Sequence, residues 1–252
     1  MLTRNRIAGF ALTLIAGSAV AQPTTYHGIT FPNGDASFAD VVVSYEPLFD
    51  GGPGPTHPFF IDPAEALGPP DYCCGDRQPG SVSLGDGGRI TLRFTDNALT
   101  GSGPDGADDL HIFEVGSQVE ATFVEISVDG VTFLSVGAVS GSVSSVDIDP
   151  FLVTAGLPAS TEFRYVRLTD NTNSGGQTGD TVGADIDAVG AISTVIVECP
   201  ADTNLDGTLT PADFTAWIAA FNAQSPQCDQ NGDDACTPAD FTAWIAKYNA
   251  GC

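Results

Sequence analysis

Positive charge is almost missing from this sequence. Its 252 residues carry 8 Lys plus Arg against 32 Asp plus Glu, a formal net charge of −24. A field of that sign repels phosphate backbones and argues against nucleic-acid binding. It equally disfavours docking on anionic lipid. Long helix-favouring side chains are also scarce: there is one Met, and Lys247 is the only Lys. A helix-rich protein is therefore not expected. His27, His57 and His111 are the only histidines, and neither G-x-S-x-G nor H-E-x-x-H occurs. The chain is read as non-catalytic. A glycosidase built on two carboxylates would leave no distinctive signal among 32 acids.

What is abundant is turn material. The chain has 29 Gly and 17 Pro, yet 42% of it is hydrophobic, enough to bury a core. Residues 1–21 begin with Arg4 and Arg6, continue through an apolar run from Ile7 to Val20, and end in Ala19-Val20-Ala21. That is the pattern of a secretory signal peptide. The apolar run is shorter than the roughly 20 residues of a membrane span. No transmembrane span is expected once the leader is removed. Export to the exterior or cell surface makes disulfides possible for the six Cys.

A repeat marks the C-terminus. Thr210 to Ala223 reads TPADFTAWIAAFNA and Thr237 to Ala250 reads TPADFTAWIAKYNA, two differences in fourteen positions at a period of 27. Such repetition marks a duplicated unit. Each copy closes a twelve-residue acidic loop, Asp202 to Asp213 and Asp229 to Asp240. Positions one, three and five are Asp202, Asn204 and Asp206 in the first loop, and Asp229, Asn231 and Asp233 in the second. Position seven offers the carbonyls of Thr208 and Ala235, position nine Thr210 and Thr237, position twelve Asp213 and Asp240. Alternate oxygen ligands in a tight loop are the spacing of an EF-hand, suited to Ca²⁺. Position six is Gly207 in loop one but Asp234 in loop two, so the second site is expected to be the weaker.

Thr210 and Thr237 can cap helices that start at Pro211 and Pro238. Phe214, Trp217, Ile218 and Phe221 form one apolar stripe, and Phe241, Trp244, Ile245 and Tyr248 repeat it. The two Trp are expected to pack the helices together. Residues 199–252 resemble a type I dockerin, and the closing Asn249-Ala250-Gly251-Cys252 is similar to the GC-type variant of secreted bacterial proteins. The resemblance implies a calcium-folded module docking on a cohesin-like partner or an envelope component. It implies partner contacts at Pro211, Ala212, Pro238 and Ala239, where Pro-Ala departs from the hydroxyl residues frequent in cellulosomal members.

Cys199, Cys228, Cys236 and Cys252 frame the module and allow three pairings. The favoured one is Cys199–Cys252 with Cys228–Cys236. Paired C-x₂-C spacing and a nearby His are missing, which disfavours zinc. Cys73 and Cys74 are adjacent, and the sequence leaves their state open.

Residues 22–37 read as a polar lead-in. From 38 to 197 short β patterns alternate with Gly, Asp, Asn and Pro clusters. Strands are expected at 39–45, 89–94, 109–115, 144–149, 164–169 and 187–197, and as a hairpin at 123–136 turning on Asp129-Gly130. No convincing helix intervenes. The expected fold is mainly β, a jelly-roll-like antiparallel sandwich followed by a small α-helical EF-hand-like module. Stretches 66–71, 82–88, 165–170 and 184–190 resemble sandwich modules of secreted bacterial surface proteins, loosely similar to galactose-binding-like domains. That resemblance implies a sandwich and a possible glycan ligand.

Two acidic groupings remain: Asp105, Asp108 and Asp109, and Asp170 with Asp180, Asp185 and Asp187. Each is either a second cation site or a set of solvated turn aspartates. Glu114 shares a strand face with Leu110 and Ile112 and needs a partner or a wet edge. The expectation is an exported, non-catalytic display protein. A hydrolytic sandwich and a purely structural one are the rivals.

Overall fold

A computed structural model describes residues 22–72, 80–116, 119–141, 144–172, 178–197, 199–204 and 209–251. The leader, Cys73, Cys74, Asp206, Thr208 and Cys252 lie outside the described residues. The chain is mainly β. Its strands run β1 (Thr24–Tyr26), β2 (Ile29–Phe31), β3 (Val41–Glu46), β4 (Val82–Ser83), β5 (Arg89–Arg93), β6 (Asn97–Leu99), β7 (Leu110–Glu114), β8 (Val119–Ser127), β9 (Leu134–Gly141) and β10 (Ser145–Val146). They continue, after helix α1 (Asp149–Ala155), with β11 (Tyr165–Asp170), β12 (Asp185–Ala191) and β13 (Thr194–Ile196). Helices α2 (Pro211–Ala223) and α3 (Pro238–Ala250) close the chain.

Two antiparallel sheets face each other. One has the order β10-β7-β12-β4 and the other β3-β5-β11-β8-β9. From β3 to β12 the chain passes repeatedly from one sheet to the other, and within them only β8 and β9 are consecutive neighbours. The alternation in β5 decides what fills the space between. Ile90, Leu92 and Phe94 are fully buried in the core, while Arg89 and Arg93 turn outward, as expected. Val166 and Leu168 of β11, Val124 and Ile126 of β8, and Leu110 and Ile112 of β7 complete that core. On the outer face of the five-stranded sheet Arg89 pairs with Glu46 and stacks on Phe49, and Arg167 pairs with Glu125 and stacks on Phe133.

Three expectations are corrected. The lead-in is a hairpin: β1 and β2 lie over the outer face of the smaller sheet, where Phe31, Phe38, Phe113 and Ala188 form a second buried cluster. Gly190 permits that close approach, because a Cβ there would stand 2.5 Å from the Phe31 ring. The stretch 144–149 yields only two strand residues before α1 begins. Leu152 of that helix is buried in the main core, and Gly156, with φ of 71°, ends it in the left-handed region. The 123–136 hairpin turns over six residues, not two. Asp129 Oδ1 accepts the amides of Val131 and Thr132, both at 2.8 Å, which ends the ladder at Ile126 and Leu134.

The helices match the repeat. Thr210 and Thr237 each form a capping box with Asp213 and Asp240. Trp217 and Trp244 are 5% and 4% exposed and form a third cluster with Ala201, flanked by Leu209, Phe221, Phe241 and Tyr248. No helix among the described residues is long and apolar enough to cross a membrane.

Leu92 is the central test of the sandwich core, since it lies between Val42 and Val166 with no exposure. Leu92→Ala is expected to cost about 2–5 kcal/mol in urea denaturation.

Candidate metal centre

The second acidic loop is described throughout. Asp229, Asp233 and Asp240 bring carboxylate oxygens within 4.8 Å of one another. Asp229 organises the turn: its Oδ1 accepts the amides of Gly232 at 2.8 Å and Asp233 at 3.2 Å, and its Oδ2 that of Asp234 at 2.8 Å. Asn231 Oδ1 accepts the Asp233 amide at 2.9 Å, and Asp233 Oδ1 accepts that of Ala235 at 3.0 Å. Asp234, at position six, has a φ of 63°. It adopts the left-handed turn that Gly provides more cheaply.

Asp240 is fully buried and links the loop's beginning to its end. Its Oδ1 accepts the Gln230 and Asn231 amides at 2.9 and 3.1 Å, and its Oδ2 the Thr237 amide at 2.7 Å. The amide of Thr237, with those of Asn231 and Gln230, holds its carboxyl below the ordinary range. Loop one repeats two of these bonds. Asp213 is fully buried and accepts from Asn204 at 3.3 Å and Thr210 at 2.8 Å. Asp202, its first position, is 8% exposed.

The donor set around loop two is oxygen only, and the three carboxylates repel one another. That chemistry fits a hard cation such as Ca²⁺. The nearby Lys247 ammonium donates to the Gln230 carbonyl at 2.7 Å. The position-nine hydroxyls take the capping role expected of them. Thr210 and Thr237 accept the amides of Ala212 and Ala239, both at 3.2 Å, so they serve as helix caps. Pro211, Ala212, Pro238 and Ala239 are exposed in the first helical turns, where the dockerin resemblance puts partner contacts.

Cys228 and Cys236 form a disulfide across loop two. Cys199 is also disulfide-bonded, and Cys252, the partner expected for it, lies outside the described residues. The repeat shows what the Cys228–Cys236 bond replaces. One period earlier stand Ala201 and Leu209, an apolar pair in the helical cluster.

Neither acidic grouping of the sandwich comes together as a three-carboxylate cluster among the described residues. Asp170, Asp185 and Asp187 form no three-oxygen cluster among the described residues. Each pins backbone or a hydroxyl. Asp170 accepts from Gly87 and Ala184, both at 3.0 Å. Asp185 accepts from the Ser83 hydroxyl, and Asp187 from the Asp71 and Tyr72 amides. Burial lifts Asp185 and Asp187 to about 6. Asp109 leaves its sequence neighbours Asp105 and Asp108 and meets Asp147 and Asp149. The pairing of Val146 with Leu110 brings them together, and no spacing in the sequence announces it. Asp109 and Asp149 are spent on the amides of Ser102, Ile148 and Gly103. Another contact missed in sequence is His111 Nδ1 to Ser145 Oγ at 2.7 Å, a cross-strand pair in the same ladder. Burial lowers His111 to about 4.

Glu114 forms no ion pair among the described residues. Both its oxygens accept the Glu120 amide, at 2.9 and 2.8 Å. Burial first, then the nearby Glu120 and Asp185 charges, push its carboxyl to about 8. A carboxyl raised by folding confers stability below its unfolded range and loses it as pH rises through the folded value. With chelator present, the urea midpoint is therefore expected to fall between pH 5.5 and 8.5, and Glu114→Gln to flatten that fall. An equally steep fall in the variant would show that other groups carry it.

No family model matches the chain, and no curated protein matches it. Among solved structures it is similar to the C-terminal domain of a chitobiase from Bacteroides fragilis, at 15% identity and a TM-score of 0.33. That likeness covers 66% of this chain and 98% of the other. At this distance nothing about function follows from it.

Proposed function

We propose that this chain is an exported, non-catalytic display protein whose C-terminal repeat folds around two Ca²⁺ ions and docks on a cohesin-like or envelope partner. The observation that carries this is loop two: three convergent carboxylates, a left-handed turn at position six, and a buried position-twelve Asp shared with the following helix. Asp213 makes the matching bonds in loop one. The paired EF-hand-like geometry is supported by the fixed offset of 27 residues between equivalent contacts. The signal-like leader supports export. The sandwich is the displayed part, and the repeated passage of its chain between sheets fits a jelly-roll-like wrap. Its outward face offers Arg89, Arg167, Tyr165 and Phe123, a mixture of donors and rings suited to glycan contact.

Calcium neutralises the loop carboxylates. Its ligand set hardly exists in an unfolded chain, so binding and folding are linked. Calorimetric titration of the oxidised, leader-free chain is expected to show two Ca²⁺ bound, with a gain of helical circular dichroism that chelator reverses. No heat and no spectral change would overturn the calcium reading.

Docking is expected to use the near-symmetric helix faces, where Ile218 and Ile245 are 40% and 38% exposed. Against a panel of cohesin modules, Ile218→Asp alone should leave binding in the second orientation, and Ile218→Asp with Ile245→Asp should abolish it. Complete loss with one substitution would refute the two-orientation mode.

A further inference from the structure

The two loops are tied to each other by their tryptophans. Trp217 follows loop one, yet its indole N–H donates to the carbonyl of Cys228 at 3.3 Å. Trp244 follows loop two, and its indole donates to the carbonyl of Ala201 at 3.0 Å and to the Thr203 hydroxyl at 3.1 Å. Cys228 and Ala201 immediately precede Asp229 and Asp202, the first positions of the two loops. Each indole therefore bonds the carbonyl at the start of the other half's loop.

The other end of each connection is equally fixed. Trp217 lies four residues after Asp213, and Trp244 four after Asp240, so each pair shares one helix face. The rings interlock on the same pattern: Trp217 with Phe241 at 5.3 Å, Trp244 with Phe214 at 5.5 Å, and the two indoles at 6.4 Å. The start of loop one thus connects through Ala201, Trp244 and one helical turn to position twelve of loop two. The start of loop two connects through Cys228, Trp217 and one turn to position twelve of loop one.

We infer that these reciprocal indole–carbonyl bonds couple the loops, so that a cation in one raises the affinity of the other. Trp217 and Trp244 are positioning residues for the opposite site. Ordering the first position of one loop fixes the carbonyl that holds the opposite helix, and so presents that helix's buried Asp to its own loop. This rests on the proposed role of the loops as Ca²⁺ sites.

The test is Ca²⁺ titration of the oxidised, leader-free chain by calorimetry. The parent chain should bind two ions with a Hill coefficient above one. Trp217→Phe with Trp244→Phe keeps the rings and removes the N–H donors. It should still bind two ions, with the Hill coefficient reduced to one. Asp240→Asn and Asp213→Asn give a readout that needs no Trp change. Disabling either loop should weaken the other by a common factor, of order 5- to 150-fold for ordinary couplings. Two independent sites in the parent, with the remaining site unaffected by Asp240→Asn or Asp213→Asn, would overturn the coupling and leave the calcium reading intact. A parent chain that binds no Ca²⁺ would overturn both.

Discussion

Carboxylates without counter-ions set the terms of this structure. A buried carboxylate must be paired, hydrogen-bonded or neutralised, and 32 acids face 8 cationic side chains. Among the described residues only Arg89–Glu46 and Arg167–Glu125 form ion pairs. Backbone amides take over the task. Asp170 accepts from the loops at Gly87 and Ala184, Asp109 from Ser102 and Ile148, and Glu114 from Glu120. Each such bond pins a loop, so the acidic composition becomes a fastening system for a turn-rich sandwich. The fastening is incomplete for Glu114 and Asp96, which remain raised to about 8 and about 7 by burial.

The same rule takes another form in the helical module. Asp229 and Asp240 also collect amides, but within loops short enough that their oxygens and that of Asp233 converge. Amides alone do not offset three converging negative charges. The sandwich gathers three carboxylates once, at Asp109, Asp147 and Asp149, and otherwise spreads its acids over separate loops, whereas the module gathers Asp229, Asp233 and Asp240 within a single loop. The small helical core beside them is three buried residues and their flanking rings, stapled by Cys228–Cys236. A core that small gains most from a bound metal and a covalent clasp.

Several features were legible because they are local. The capping boxes follow from Thr-Pro-x-Asp, and the burial of Ile90, Leu92 and Phe94 follows from strict alternation. The Cys228–Cys236 pairing bridges a short loop, as expected. The N-terminal hairpin was not legible, because Thr24 to Phe31 is ordered by rings far along the chain, above all Phe113. Helix α1 was hidden by the strand-like residues on either side of it. The six-residue turn after Ser127 was missed because one Asp side chain outcompetes the ladder for its amides.

The sequence by itself determined the acidic balance, the 27-residue repeat, the loop spacing and the helix starts, since each depends on residues a few positions apart. Tertiary structure alone decided that Asp109 meets Asp147 and Asp149, that Asp170, Asp185 and Asp187 stay apart, and that each Trp reaches across to the other half's loop. Those outcomes depend on which strands pair and how two helices cross, and contacts between such distant residues are set by the packing of the whole core, to which local spacing is blind.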